Sequence, residues 1–171
     1  TLNKKLNESL SSPGVKSITV PLGEYKITRK IRSLKIIFRS CTSELIMDQN
    51  KKRLFDKEKN EYTFRSLNSL LKSISDAKKT FNNVNFEIFV TDTNSSKEDL
   101  SQIKSILSKY SIKHKLIEIN LNNYKEKIND IYTPAKFANM ANLYSSLVLA
   151  KNEDFDIVYF VEDDYIHSKN T

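Results

Sequence analysis

Three consecutive carboxylates follow one of the most apolar short runs of the chain. Glu162, Asp163 and Asp164 come directly after residues 157–161, whose β-branched and aromatic side chains predict a strand. Carboxylates this close repel one another, so their pKa values rise unless a cation neutralises them. Mg²⁺ and Mn²⁺ prefer oxygen ligands and commonly bind one or two carboxylates together with substrate phosphates. The spacing therefore indicates a divalent-cation site, with a solvated turn or a helix cap as the simpler interpretation.

The alternation of side chains along a strand divides these three acids into two groups. If the strand continues as extended chain, Glu162 and Asp164 point to one side and Asp163 points to the other. An acid-x-acid pair of this kind can serve one ligand in two ways. One carboxylate binds the metal ion, and the other accepts hydrogen bonds from ribose hydroxyls.

Four short apolar runs alternate with segments of helical spacing. The runs at 34–38, 86–90, 115–119 and 157–161 have the length and side-chain types of strands. Strands that alternate with helices predict an α/β fold with a mostly parallel, doubly wound, Rossmann-like sheet of at least four strands and helices on both faces. The fourth run is apolar throughout, which is typical of a central strand.

Capping residues mark the starts of three helices. Thr63 is the expected cap of the first helix, and Ser95 and Ser96 precede Glu98 and Asp99 in a capping-box pattern. A third helix is expected from Thr133–Pro134, because proline favours the first helical position. Its apolar positions predict a buried face made of Phe137, Met140, Ala141, Tyr144, Leu147 and Val148.

Polar side chains stand at the predicted carboxyl ends of three strands. Arg39 and Ser40 end the first strand, Asp92 ends the second, and the acidic triplet ends the fourth. Because ligands of parallel sheets bind outside the carboxyl ends of the strands, we expect one site there. Lys136 and Asn139 lie near the start of the third helix, and we expect that helix end to approach the site. The polar stretch 41–62 is too long for an ordinary connection and predicts a functional loop.

Composition excludes several other kinds of site. The chain of 171 residues has two glycines, one cysteine and two histidines. Two glycines are too few for a Walker A loop or a Gly-x-Gly-x-x-Gly turn. One cysteine excludes an internal disulfide and a cysteine zinc site, and suits a reducing compartment such as the cytoplasm. No apolar run reaches the roughly 20 residues needed to span a bilayer.

The net charge of +7 is unevenly distributed. Residues 1–85 carry 18 basic and 8 acidic side chains, and residues 86–171 carry 10 and 13. The basic residues are mostly scattered lysines without an Arg-rich stripe, which argues against nucleic acid as a partner. A basic half is compatible with an anionic lipid surface or a polyanionic acceptor, with a solvated surface as the simpler interpretation.

The acidic motif and two further segments resemble one enzyme family. Val161-Glu162-Asp163-Asp164-Tyr165 looks like the Asp-x-Asp motif of GT-A-fold glycosyltransferases in its Glu-x-Asp form. Residues 90–95 are similar to the Val-Asp-Asp-Gly-Ser segment of the family 2 enzymes, with Asp92 on the second aspartate and Thr91 and Thr93 as departures. The helix 136–150 matches the position of the family's Ala-Arg-Asn helix, with Asn142 on the asparagine and Ala141 as a departure.

The resemblance, which covers about residues 34–167, implies a binding site for a nucleotide-sugar donor. It implies that Asp92 contacts the base or ribose, that Glu162 or Asp163 contacts the ribose, and that Asp164 holds Mn²⁺ or Mg²⁺ on the diphosphate, with Glu162 as the second acid of the metal motif. It places Arg39 and Ser40 in the nucleotide pocket. The implied reaction transfers a sugar to a glycan or lipid-linked acceptor, and the bound cation stabilises the leaving diphosphate.

The domain boundaries follow from this comparison. We expect residues 1–33 to be a partly flexible lead-in, with a turn at Pro13–Gly14, and residues 34–171 to be the nucleotide-sugar-binding half of a GT-A domain. Because the acceptor half and any catalytic base would lie elsewhere, we expect this piece alone to be inactive. The family context suggests a cytoplasmic location with contact at the inner face of a membrane.

Two other functions remain open on the sequence alone. A phosphoribosyltransferase also carries two acids after an apolar strand, but its phosphate loop needs glycine, which residues 165–171 lack. A receiver-like signalling module has an acidic pocket at its first strand. There the acidic strand would open the domain, whereas here it follows three other predicted strands.

Overall fold

The computed structural model describes residues 30–43, 57–128, 133–152 and 154–168, and every structural statement below concerns these residues. The chain divides into two compact units, 1–30 and 31–171, and all described strands and helices belong to the second. Most of the expected lead-in, including its turn, lies outside the described residues. The same holds for residues 44–56 of the predicted functional loop.

Strands and helices alternate in the predicted order. The strands are β1 (Ser33–Ser40), β2 (Asn85–Asp92), β3 (Lys113–Glu118) and β4 (Ile157–Glu162). The helices are α1 (Lys59–Thr80), α2 (Lys97–Ser108) and α3 (Pro134–Asn152), with a 3₁₀ turn at Leu121–Tyr124. Each of the four predicted strands is therefore present within a few residues of its expected bounds.

All four strands are parallel, in the order β3-β2-β1-β4. The chain proceeds outward from β1 to β3 and then returns past β1 to place β4 on its other side. Such a reversal is the topological switch point of a doubly wound sheet, where a crevice forms outside the carboxyl ends of the two adjacent strands. The predicted Rossmann-like α/β fold is thus confirmed, and its switch point lies between β1 and β4.

Helices cover both faces of the sheet. On one face, side chains of α1 and α2 form a core cluster with side chains of β1, β2 and β4. Its members include Ile36, Phe38, Leu67, Leu71, Ile88, Val90, Ile103, Leu107 and Val161. On the other face, α3 lies over β1 and β2. Alternate strand residues therefore face α1 and α2, and the residues between them face α3. None of the described helices combines the length and the apolar character that a membrane crossing requires.

Helix starts match the sequence signals at two of three positions. Ser96 caps α2, with its Oγ accepting a hydrogen bond from Asp99 N at 3.0 Å, and α3 begins at Pro134. The expected cap at Thr63 is wrong, because α1 begins at Lys59. Thr63 lies buried one turn after this start, where its hydroxyl donates a hydrogen bond to Asp163 at the end of β4.

The predicted buried face of α3 is wrong at three of its six positions, because Tyr144, Leu147 and Val148 are exposed. Ala141 is buried as predicted, and the other buried positions are Ala138, Asn142 and Ser146. Small side chains let the helix approach the strands closely, and Asn142 and Ser146 meet the buried hydroxyl of Thr91. Apolar spacing alone could not reveal this choice, because α3 is apolar around most of its circumference.

The position of β4 also differs from expectation. Among the described strands it lies at the edge of the sheet, not at its centre, and Tyr159 and Phe160 are 44% and 41% exposed. Within the described residues, β1 is the only neighbour of β4. An apolar run predicts burial on both faces, but it carries no information about which neighbours a strand has.

Candidate functional site

Strand register places the candidate residues on two faces of the same sheet edge. Arg39 is in register with Thr91 on one side and with Glu162 on the other. Residues in register across parallel strands point to the same face, and here that face is covered by α3. Ser40 and Asp92 form the next pair, and they point to the face of α1 and α2. The predicted clusters share one edge, as expected, but two separate groups form there.

Arg39 is the centre of the group on the α3 face. Its Nη2 donates hydrogen bonds to Asn139 Oδ1 at 2.8 Å and to Glu162 Oε1 at 3.2 Å. The Arg39 side chain is 14% exposed and that of Glu162 is 53% exposed. Arg39 Nε is buried, and none of the described residues accepts a hydrogen bond from it. Residues from β1, β4 and α3 thus converge on one guanidinium.

A crevice of about 340 Å³ opens beside this guanidinium. Its walls are formed by Arg39, Tyr159, Phe160, Val161, Glu162 and Tyr165. The volume is at the lower end of the range typical of small-molecule sites. Aromatic walls with a charged pair at one end suit a ligand that has both a flat apolar part and an anionic part.

Asp92 is the centre of the group on the α1 and α2 face. It is 2% exposed, and its Oδ2 accepts hydrogen bonds from Ser40 Oγ and Ser95 Oγ, each at 2.6 Å. Ser95 N donates to Oδ1 at 3.2 Å. Burial raises the pKa of Asp92 above its usual 3.8, although these hydrogen bonds oppose the rise and the charge of Asp163 adds to it. Asp92 does not line the crevice.

Asp163 is held among protein groups of three elements. Its Oδ1 accepts from Lys59 Nζ at 2.6 Å, and its Oδ2 accepts from Thr63 Oγ1 at 2.9 Å and Cys41 N at 3.2 Å. It is 8% exposed. The carboxylate therefore ties the end of β4 to the end of β1 and to the first turn of α1. As the alternation predicts, Asp163 and Glu162 face opposite sides of the sheet.

The turn after β2 completes this second group. Thr42 N donates to Ser95 Oγ at 3.0 Å, and Thr42 Oγ1 donates to Asp99 at 2.6 Å. Asn94 has φ 60°, a left-handed conformation that asparagine tolerates better than most residues. The residue of this turn with the positive φ that glycine favours is therefore Asn94. It follows Thr93, the residue that stands at the glycine position of the segment compared above.

Asn142 crosslinks the ends of β1 and β2 from α3. Its Nδ2 donates to Ser40 O at 3.2 Å and to Thr91 O at 3.0 Å, while its Oδ1 accepts from Thr91 Oγ1 at 2.8 Å. Its amide hydrogens and its carbonyl oxygen therefore all have partners, and the residue is 3% exposed. This geometry sets the spacing between the two strand ends that carry Ser40 and Asp92.

The described residues offer limited ligands for a metal ion. Within the ranges given above, no three His, Cys, Asp or Glu side chains form a group that could hold one. Asp164 is exposed, and Glu162 is paired with Arg39. This donor set fits only a hard cation that takes one or two carboxylates and completes its coordination with phosphate oxygens and water.

The remaining candidates differ in how near they come to the site. The side chain of Lys136 is exposed and has no described role, since only its backbone N contacts Thr133 Oγ1, at 3.4 Å. The sequence interpretation missed Lys59 and Thr63 as partners of Asp163, and Asn60 as a partner of Asp99. These contacts join residues 39 to 104 positions apart, and nothing in the local pattern marks them.

His167 makes a separate contact beside the crevice. Its Nε2 lies 3.2 Å from Tyr159 OH, and the two rings pack edge to face. Burial lowers the pKa of His167 below its usual range, which favours the neutral imidazole. The contact with Tyr159 supports a packing role for His167.

Comparison with known proteins identified no relative of this chain. No protein family matches the chain, and none of the curated proteins or solved structures compared with it is significantly similar.

Proposed function

We propose that the chain is the nucleotide-sugar-binding half of a GT-A-like glycosyltransferase. The observation that carries the proposal is the crevice at the β1–β4 switch point, with Arg39 and Glu162 at its polar end. Doubly wound sheets bind nucleotides at this position. The acidic motif that resembles the family's Asp-x-Asp segment ends the same strand that forms one side of the crevice.

The proposed ligand is a nucleoside diphosphate attached to a sugar. Aromatic rings of Tyr159, Phe160 and Tyr165 offer apolar surfaces for the base or the sugar. Arg39 offers a guanidinium, the side chain best suited to planar recognition of phosphate oxygens. In this proposal Asp164 would hold Mn²⁺ or Mg²⁺ on the diphosphate, and the cation would stabilise the negative charge of the leaving group.

The proposal changes the roles of three predicted residues. Asp92 and Asp163 serve as the buried framework that holds the ends of β1, β2 and β4, because their oxygens are already bonded to protein groups. Ser40 belongs to the same framework through its hydrogen bond to Asp92. The proposed donor contacts are therefore Arg39 and the aromatic residues that line the crevice.

Calorimetric titration with UDP, GDP and a CMP-sugar, with and without Mn²⁺, tests this proposal. We expect one nucleoside diphosphate to bind with metal dependence. Arg39→Ala should weaken that binding by about tenfold or more, because it removes a charge-assisted hydrogen bond. Asp164→Ala should remove the metal dependence.

Two matched variants control for general effects of charge. Arg65→Ala removes an arginine on the exposed side of α1, and Asp154→Ala removes an exposed acid at the opposite end of β4. Both should bind as the unchanged protein does. A folded protein that binds none of the nucleotides would refute the proposed function.

A further inference from the structure

Arg39 has fewer hydrogen-bond partners than its guanidinium can use. The group carries five N–H donors. Both described side-chain acceptors, on Asn139 and Glu162, contact the same nitrogen, Nη2. Nε is buried without an acceptor among the described residues. A buried donor without an acceptor is costly, so the described contacts use the hydrogen-bonding capacity of this guanidinium incompletely.

Glu162 is a replaceable partner for this guanidinium. It contacts Arg39 through one oxygen at 3.2 Å, not through the two parallel hydrogen bonds of a bidentate pair. Its side chain is 53% exposed, so water competes for the carboxylate. Competition from water weakens a single contact of this kind. A phosphate group offers more oxygen atoms and more negative charge at the same position.

Asn139 keeps Arg39 at the crevice independently of Glu162. Its Oδ1 accepts from Nη2 at the shorter distance of 2.8 Å. The amide is neutral, so it orients the guanidinium without cancelling its charge. Loss of the Glu162 contact would therefore leave a cation that still faces the crevice.

We propose that Glu162 occupies, in the free protein, the place that a ligand phosphate takes on Arg39, and that a pyrophosphate-bearing ligand displaces it. This inference rests on the proposed function and specifies how its site exchanges partners. The exchange keeps the cationic residue neutralised before binding. It also makes Glu162 a competitor of the ligand, so its removal strengthens the binding of anions.

The experiment measures inorganic pyrophosphate binding by calorimetry, in EDTA, for the unchanged chain and three variants. Glu162→Gln should bind about two- to fivefold more tightly, because a partly exposed competing ion pair is lost. Asn139→Asp should bind more weakly by a similar factor, because a second carboxylate then contacts Arg39. Glu118→Gln should bind as the unchanged chain does, because it removes the same charge at the carboxyl end of β3, where its partner is Lys104. Thermal unfolding of each variant confirms that it is folded.

Each outcome decides the inference. Equal or weaker pyrophosphate binding by Glu162→Gln overturns it, and so does an absence of pyrophosphate binding in every variant. If Glu162→Gln binds pyrophosphate more tightly but no nucleoside diphosphate binds better than pyrophosphate, the exchange stands and the proposed function fails. If nucleotide binding depends on the metal ion but Glu162→Gln does not change pyrophosphate binding, the proposed function stands and the exchange fails.

Discussion

Adjacent acids at the end of β4 should respond very differently to substitution. Asp163 is 8% exposed and accepts three hydrogen bonds, whereas the side chain of Glu162 is 53% exposed and makes one described contact, with Arg39. Asp163→Ala would leave the Lys59 ammonium, 17% exposed, without its carboxylate, and would remove the acceptor for Thr63 Oγ1. The two substitutions therefore test whether the two faces of the sheet edge are assigned correctly.

The magnitude follows from the number and burial of these contacts. Breaking a fully buried ion pair costs about 3–5 kcal/mol, and a hydrogen bond to a charged group contributes about 1.5–3 kcal/mol. Because Lys59 retains some solvent contact, we expect Asp163→Ala to cost about 2–4 kcal/mol. In a domain of this size that lowers Tm by roughly 4–16 °C. Glu162→Ala should cost less than about 1 kcal/mol, because the Glu162 carboxylate is half exposed and Asn139 still accepts a hydrogen bond from Arg39.

Urea denaturation followed by circular dichroism measures both free energies of unfolding. Asp163→Asn is a useful intermediate, because it keeps the size of the side chain and one acceptor oxygen but loses the charge that Lys59 requires. We expect its stability to lie between those of the unchanged chain and Asp163→Ala. The assignment of Asp163 as the buried link between β4, β1 and α1 would be wrong in either of two cases. One is that Asp163→Ala is as stable as the unchanged chain, and the other is that Glu162→Ala lowers stability as much as Asp163→Ala does.

Three further predictions concern the framework and the helix above it. Burial raises the pKa of Asp92, so the folded state favours the protonated carboxyl. The stability that this protonated carboxyl contributes is fully present below pH 3.8 and is lost as the pH rises through the pKa of the folded state. The free energy of unfolding of Asp92→Asn relative to the unchanged chain should therefore rise with pH over that interval; a flat difference would contradict the raised pKa. Asn142→Ala should cost about 1–3 kcal/mol in urea unfolding, because buried carbonyls of β1 and β2 lose their donor, and Asn142→Asp should be at least as damaging. Leu67→Ala should cost about 2–5 kcal/mol and Leu147→Ala less than about 1 kcal/mol, since the first is fully buried and the second is 52% exposed; equal losses would show that the outer side of α3 is covered.

Local signals were sufficient for most of the secondary structure. The β-branched runs predicted all four strands, and Ser96 and Pro134 marked the starts of α2 and α3. These signals are reliable because backbone conformation and capping depend on residues a few positions apart. The cap of α1 was mispredicted because the helix begins at Lys59, and its N-cap residue Glu58 makes no side-chain capping hydrogen bond that a sequence pattern could reveal.

The candidate site was only partly visible in the sequence. The parallel fold predicted that Arg39, Asp92 and the acidic triplet share one edge of the sheet. The strict alternation of strand side chains also separated Glu162 from Asp163. It could not predict that Asp163 is neutralised by Lys59, or that Arg39 is oriented by Asn139, since both pairs span about a hundred residues.

The amino-acid sequence by itself determined the alternation of strands and helices, the parallel α/β class and the edge at which polar residues collect, because these depend on short-range periodicity and on general rules of chain connection. Only the tertiary structure decided the strand order, the side of α3 that faces the sheet and the division of the acids between a buried framework and an open crevice. These features depend on packing between distant segments. The free-energy differences between alternative strand orders or helix orientations come from these distant contacts, so short sequence patterns do not reveal them.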